Sequence, residues 1–94
     1  MQSTGQTAQA VVKIINRLGL HARPAMSFVD IASGFAATVK VKKGEQVVDG
    51  KSIMQMMLLE ATQGTELLID AAGPDAGQAV AALRELVARK FDEE

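Results

Sequence analysis

The sequence predicts a two-layer α+β domain, and three observations support this fold class. Runs of β-branched residues, one of them with regular alternation, are typical of strands that bury one face. Apolar residues spaced three and four positions apart indicate amphipathic helices. The order is strand, helix, strand, strand, helix, strand, helix, which lets helices cover one face of a sheet.

The first strand and the first helix occupy the N-terminal third of the chain. The run "AQAVVKIIN" (8–16) is rich in Val and Ile and predicts the strand. The run "ARPAMSFVDIAS" (22–33) predicts the helix, and Gly34 stands where a left-handed C-terminal cap is expected. Its apolar stripe consists of Ala25, Phe28, Val29 and Ala32.

A predicted hairpin follows. In "ATVKVKK" (37–43), Val39 and Val41 alternate with Lys40 and Lys42, which indicates a half-buried strand. The dipeptide "KG" at 43–44 can turn the chain into the strand "EQVV" (45–48).

The second half of the chain predicts two helices on either side of a strand. Residues 49–61 open with turn residues and continue as a short helix with Ser52 as N-cap. Residues 65–72 form the fourth strand, and residues 75–91 form a helix that Asp75 can cap. The apolar stripe of this last helix consists of Ala76, Ala79, Val80, Leu83, Leu86 and Val87.

Length and composition limit the classes of protein. We expect one domain over 9–94 with a flexible tail at 1–8, because 94 residues suit a single core. A net charge of −1 gives no basic surface for nucleic acid. The lack of cysteine excludes disulfides and thiolate zinc sites, and no Asp/Glu spacing suggests another metal site. The polar start and the absence of a long apolar run predict a cytoplasmic protein that does not insert into membranes.

The single histidine, His21, stands where the first helix begins. A helix N-terminus offers unpaired backbone N–H groups and a partial positive charge, and therefore favours anions. The amides of Ala22 and Arg23 would form such a cradle, and the Arg23 guanidinium can bond two phosphate oxygens. Pro24 suits a first turn because its missing N–H would have no partner there. A neutral imidazole is also a nucleophile, so transient phosphorylation of His21 is one hypothesis. The other is that His21 only caps the helix or fills a place on the surface.

The run "GLHARPA" resembles the active-site signature of the HPr family, the histidine-containing phosphocarriers of the bacterial sugar phosphotransferase system. The resemblance extends over nearly the whole chain through "VVKIINRLGLHARPA", "GF", "GKSIM" and "TQGTELLIDAAGPD". It implies an open-faced sandwich in which three helices cover one side of four antiparallel strands (βαββαβα).

The resemblance also implies a function. Enzyme I would transfer phosphate from phosphoenolpyruvate to Nδ1 of His21, and the carrier would pass it to an EIIA-type domain. Arg23 would be the neighbouring phosphate ligand. The carrier would need no metal or other cofactor. It would be a monomer, and it would carry the phosphoryl group without being an enzyme itself. A hydrolase has little support, because no second base or metal cluster accompanies His21 in the sequence.

The second helix predicts a surface for partners. Met56 and Leu59 share a face and are expected in the core, whereas Ile53, Met54 and Met57 point elsewhere. We call these last three residues the docking patch, since methionine adapts to several unlike partners. Family members use this helix, with the rim of the active site, to meet Enzyme I and their acceptors.

Ser52 has a second possible role beside capping. In many family members the serine at this position is phosphorylated by an HPr serine kinase/phosphorylase, which blocks transfer to the histidine. The alternative function is therefore a regulatory binding protein that signals through Ser52 and the docking patch. The ending "FDEE" and the run "RPAMSF" resemble proteobacterial carriers, including nitrogen-branch (NPr-type) ones, so sugar and nitrogen branches both stay open.

Overall fold

The computed structural model describes residues 6–93 and confirms the α+β class and the element order. A short turn, Lys90–Asp92, follows the last helix. The elements are β1 (Thr7–Lys13), α1 (Ala22–Ser33), β2 (Thr38–Lys43), β3 (Gln46–Asp49), α2 (Ile53–Leu58), β4 (Glu66–Ala72) and α3 (Ala76–Ala88).

The four strands form one antiparallel sheet in the order β1-β4-β2-β3. Strand β4 is central and pairs with both β1 and β2; Ile69 lies opposite Ala10 on one side and Val41 on the other. Val39 and Val41 are buried and Lys40 is exposed, as the alternation predicts. The sheet therefore has one apolar face, which meets the buried sides of the helices in a single core.

All residues of the apolar stripes predicted for α1 and α3 are buried. Helix α1 packs against both α2 and α3, and α3 lies against β1 and β4. Among the helices within residues 6–93, none is long and apolar enough to cross a membrane.

The ends of β1 differ from the prediction. The strand begins at Thr7, inside the segment 1–8 that we expected to be a tail, and residues 1–5 lie outside the described part of the chain. Thr7 lies opposite Ala72 in the ladder, which requires no side-chain burial. The strand ends at Lys13 rather than at residue 16, because the chain turns at 16–19.

Two predicted helix caps are wrong in their details. Gly34 has φ −78° and ψ −4°, a right-handed conformation, because its N–H bonds to Ile31 O (3.0 Å) in a tight turn toward β2. Asp75 occupies the N-cap position of α3, but its carboxylate makes no bond to its own helix. It accepts instead from the backbone N–H groups of Ala36 (2.9 Å) and Ala37 (2.8 Å) just before β2.

The chain reverses after α3, which ends at Ala88 rather than at residue 91. Lys90, Phe91 and Asp92 have φ values of 60°, 56° and 62°, in the left-handed region that side chains rarely adopt. Phe91 is buried in the core and anchors this turn, and the Arg89 guanidinium bonds to the Asp92 carboxylate (Nε–Oδ1 3.0 Å). The turn carries Glu93 back toward the start of α1.

Candidate functional site

His21 is the N-cap residue of α1, as its position in the sequence predicts. Its backbone is extended (φ −81°, ψ −169°), and its carbonyl accepts the first helical bond, from Ala25 N (3.0 Å). Its side chain makes no capping hydrogen bond, so a simple capping role for the ring is wrong. The imidazole is partly exposed, with 39% of its surface accessible.

The loop before α1 is fixed by a close approach of two backbones. Gly19 has φ +72°, and a Cβ atom there would lie 2.6 Å from Ala61 O. The next residue, Leu20, donates its N–H to that same oxygen (2.9 Å). Glycine is required at this position on both grounds, and the contact determines where His21 stands.

Ala22 and Arg23 are the first two residues of α1 and both are exposed. Helix geometry leaves the first N–H groups without intrahelical partners, and Pro24, which is buried, has none to offer. The start of α1 can therefore receive an anion at the amides of Ala22 and Arg23. The Arg23 guanidinium forms no ion pair with another side chain of residues 6–93.

The structure adds a partner for the imidazole that sequence reasoning missed. His21 Nε2 lies 3.1 Å from Glu93 Oε1 and 3.2 Å from Oε2. These residues are 72 positions apart in the chain. One ring nitrogen is thus occupied by a carboxylate, while Nδ1 has no hydrogen bond within residues 6–93.

Asn16 holds this carboxylate in place by a hydrogen bond. It is completely buried, and its Nδ2 donates to Gly19 O (2.7 Å) and to Glu93 Oε1 (3.0 Å). Both acceptors are oxygens without a proton to give, so only the amide nitrogen can face them. Asn16 Oδ1 is buried without a partner among residues 6–93, a cost of about 1–3 kcal/mol in a typical protein.

The electrostatics of the site keep Glu93 ionised. Partial burial, the largest single effect, raises the pKa of Glu93, and hydrogen bonds from His21 and Asn16 lower it. The charges of His21 and Arg23 act in the same direction, and the net pKa is below its usual value. Arg23 thus influences the site through the carboxylate that faces His21.

In the described part of the chain, no three His, Cys, Asp or Glu side chains cluster as a metal ion would require. The chemistry available at the site is that of an imidazole, a carboxylate, a guanidinium and backbone amides.

Helix α2 has the two faces that the sequence predicts. Met56 and Leu59 are fully buried, whereas the docking patch of Ile53, Met54 and Met57 is exposed, with Met54 80% accessible. Ser52 is the N-cap, and its Oγ accepts from Gln55 N (3.2 Å), which confirms the predicted cap.

Sequence reasoning missed several other residues of this region. Glu93 stands in "FDEE" and Asn16 in "NRLGLH", and neither has a local pattern that marks it as part of the site. An amide side chain three residues before a glycine was the one available signal for Asn16. Outside the docking patch, six further large apolar side chains within residues 6–93 are exposed: Val11, Ile15, Leu18, Met26, Val47 and Leu58.

Comparison with known proteins identifies the family of this chain. The family model described as "PTS HPr component phosphorylation site" matches residues 8–89. The phosphocarrier protein HPr of Pseudomonas aeruginosa is 46% identical over 83 residues, which cover 87% of this chain and 92% of that protein. The phosphocarrier protein NPr of Escherichia coli is 34% identical over 89 residues, or 94% of this chain and 99% of that one.

Solved structures agree with these matches. HPr-C-His from Thermoanaerobacter tengcongensis superposes with a TM-score of 0.89 at 41% identity, covering 93% of this chain and 98% of that one. An HPr dimer from the same organism has a TM-score of 0.75 at 43% identity, covering 87% and 94%. The open antiparallel sheet with three helices is thus the fold of these proteins, and this chain belongs to the HPr family of phosphocarriers of the phosphotransferase system.

Proposed function

We propose that His21 accepts a phosphoryl group on Nδ1 from phospho-Enzyme I, and ultimately from phosphoenolpyruvate, and passes it to EIIA-type domains. One observation carries this proposal. His21 stands at the start of α1 with Nε2 occupied by Glu93, which leaves Nδ1 as the ring nitrogen available for attack.

The start of α1 supports the same assignment. A phosphoryl group on Nδ1 would be stabilised by the amides of Ala22 and Arg23 and by the positive end of the helix dipole. The Arg23 guanidinium can move to the phosphate oxygens, because it is exposed and has no ion pair within the described residues. Arg23 is therefore the phosphate ligand in our proposal.

We propose that partner proteins bind at the docking patch of Ile53, Met54 and Met57. These side chains are exposed although they are apolar, and they lie on a helix that packs against α1. A cluster of this kind on a small protein marks a contact surface. A relay carrier must leave this surface uncovered between encounters, which favours a monomer.

Labelling with radioactive phosphoenolpyruvate and a cognate Enzyme I tests the central assignment. We expect one phosphate per chain that is labile in acid and stable in base, and none in His21→Ala. Ser52→Ala is the matched control and should label like the wild type. Labelling that persists in His21→Ala would refute the assignment.

The identity of the acceptor follows from the branch. The higher identity to HPr than to NPr, 46% against 34%, favours the sugar branch. Phosphorylated protein mixed separately with a sugar-type and a nitrogen-type EIIA should transfer faster to the sugar type. A faster transfer to the nitrogen type would reverse this choice.

A second candidate function is regulation through Ser52. Its hydroxyl caps α2 and is partly exposed directly before the docking patch. A phosphate on Ser52 would add nearly two negative charges beside apolar side chains that partners must desolvate. We expect Ser52→Asp to slow the labelling of His21, whereas Ser52→Ala leaves it unchanged; equal rates in the two variants would exclude this role.

In this proposal the protein is a cytoplasmic covalent intermediate rather than an enzyme, and it requires no metal or other cofactor. Light scattering at micromolar concentration tests the monomer. A labelling experiment tests whether the carrier needs a metal. The carrier is first treated with a chelator to remove any metal, and Enzyme I with its own cofactor is added afterwards.

A further inference from the structure

The contact between Glu93 and His21 determines which ring nitrogen carries the proton. An ionised carboxylate can only accept hydrogen bonds. Both oxygens of Glu93 lie within 3.2 Å of Nε2, so Nε2 must be the donor. In the neutral ring the other nitrogen, Nδ1, then has a free lone pair.

Asn16 makes this arrangement directional. Its two amide protons are used by Gly19 O and Glu93 Oε1, and burial keeps the side chain in place. The carboxylate is therefore held on the Nε2 side of the ring by a buried group rather than by solvent. Histidines that bind metals have an equivalent partner, in which a carboxylate on one nitrogen determines the tautomer and frees the other nitrogen.

We infer that Glu93, held by Asn16, keeps the proton of His21 on Nε2 and stays paired with it while Nδ1 carries the phosphoryl group. The inference rests on the proposed function in one respect, that Nδ1 is the phosphoryl acceptor. Glu93 is a positioning residue in this scheme, because it contacts the ring and not the phosphate.

The transfer balances without any proton entering or leaving the ring. The Nδ1 lone pair attacks phosphorus, the bond between phosphorus and the donor breaks, and its electron pair leaves with the donor. The ring becomes a phosphoimidazolium whose positive charge faces Glu93. When the acceptor attacks phosphorus, the electron pair of the P–N bond returns to Nδ1 and the ring is neutral again with its Nε2 proton.

Glu93 also makes the ring a better leaving group. Without it the phosphorylated ring loses its Nε2 proton more readily, and the P–N bond would then have to expel an anionic imidazolate. Arg23 is the other charged group close enough to affect Glu93, and its positive charge helps to keep the carboxylate ionised.

Nitrogen-15 NMR of the histidine ring in the unphosphorylated full chain tests the inference. At about pH 8.5, where an ordinary imidazole is neutral, we expect the Nε2–H tautomer in the wild type. In Glu93→Gln the fraction of the Nδ1–H tautomer should rise roughly tenfold, as expected for the loss of a hydrogen bond to a charged group. Glu93→Asp should restore part of the wild-type ratio.

Asp92→Asn is the matched control, since Asp92 is the adjacent carboxylate but bonds to Arg89. Its spectrum should equal that of the wild type. An Nδ1–H ring in the wild type, or equal tautomer ratios in wild type and Glu93→Gln, would overturn the inference. The spectrum needs no Enzyme I, so a failure of His21 to label would refute the proposed function separately.

A second measurement concerns the phosphorylated protein. At neutral pH its Nε2 signal should be that of a protonated ring in the wild type and partly that of a deprotonated ring in Glu93→Gln. Transfer to an EIIA domain should slow in the same variant. Unchanged protonation of the phosphorylated ring would contradict the role of Glu93 as its counter-ion.

Discussion

Gly19→Ala is expected to destabilise the domain far more than an ordinary glycine substitution. Gly19 has φ +72°, where any residue with a Cβ loses about 1–2 kcal/mol. The new methyl group would also lie 2.6 Å from Ala61 O. To relieve this contact the loop must move away, which breaks the bond from Leu20 N to the same oxygen, now 2.9 Å long. A buried donor left without a partner costs about 1–3 kcal/mol more.

Gly44→Ala is the matched control. Gly44 also has a left-handed backbone, φ +59°, but nothing lies within 4 Å of a Cβ placed there. Gly44→Ala should therefore lower the free energy of unfolding only by the cost of the left-handed backbone, about 1–2 kcal/mol. The difference between the two variants isolates the cost of the close approach, which we expect to be about 1–3 kcal/mol.

Urea unfolding measures both free energies, because small single domains usually unfold in one step. If the free energies of unfolding of the two variants agree to within about 0.5 kcal/mol, the close approach at Ala61 does not affect stability and our account of the loop is wrong. Gly19→Ala should also slow the labelling of His21, because the loop that moves leads directly into the site. Gly44→Ala, in the β2–β3 turn, should leave labelling unchanged.

Three further predictions concern other parts of the chain. Gly77→Ala, in the first turn of α3 with open space around it, should raise the free energy of unfolding by up to about 1 kcal/mol in urea titrations. The pKa of Asp75 is lowered chiefly by its bond to a backbone N–H, so its stabilising effect is present above about pH 4 and is lost as the pH falls through the folded value. The Tm difference between the wild type and Asp75→Asn should accordingly shrink in acid; a constant difference from pH 6 down to about pH 2 would contradict this. Arg23→Ala should slow phosphoryl transfer with little change in Tm, whereas Leu83→Ala should lose about 2–5 kcal/mol; equal losses would make Arg23 structural.

Local patterns predicted those features that depend on neighbouring residues. The bounds of α1 agree residue for residue with the prediction, because its apolar stripe and Pro24 leave little choice of start or register. Ser52 caps α2 as expected, since the bond it accepts comes from a residue three positions away.

Features that depend on distant parts of the chain were not predictable in this way. Asp75 could have bonded to its own helix, and packing places its carboxylate instead on amides 38 and 39 positions away. Glu93 reaches His21 only because three residues that are not glycine adopt left-handed backbones. Asp visits that conformation occasionally, but no sequence rule favours Lys and Phe there, so the carboxylate of the site had no local signal.

The path of the chain after α3 has a practical consequence for the production of this protein. Glu93 contacts the imidazole, so a reporter group attached just after this residue would lie close to the ring. If His21 is the phosphoryl carrier that we propose, such a group would crowd the approach of partners and alter the chemistry that it is meant to report. Strand β1 has seven residues, so its first residue, Thr7, lies roughly 20 Å from the end that leads into the His21 loop. A label near Thr7 would therefore stand away from the ring, whereas a label near Glu93 would be suited to sensing what happens at the ring.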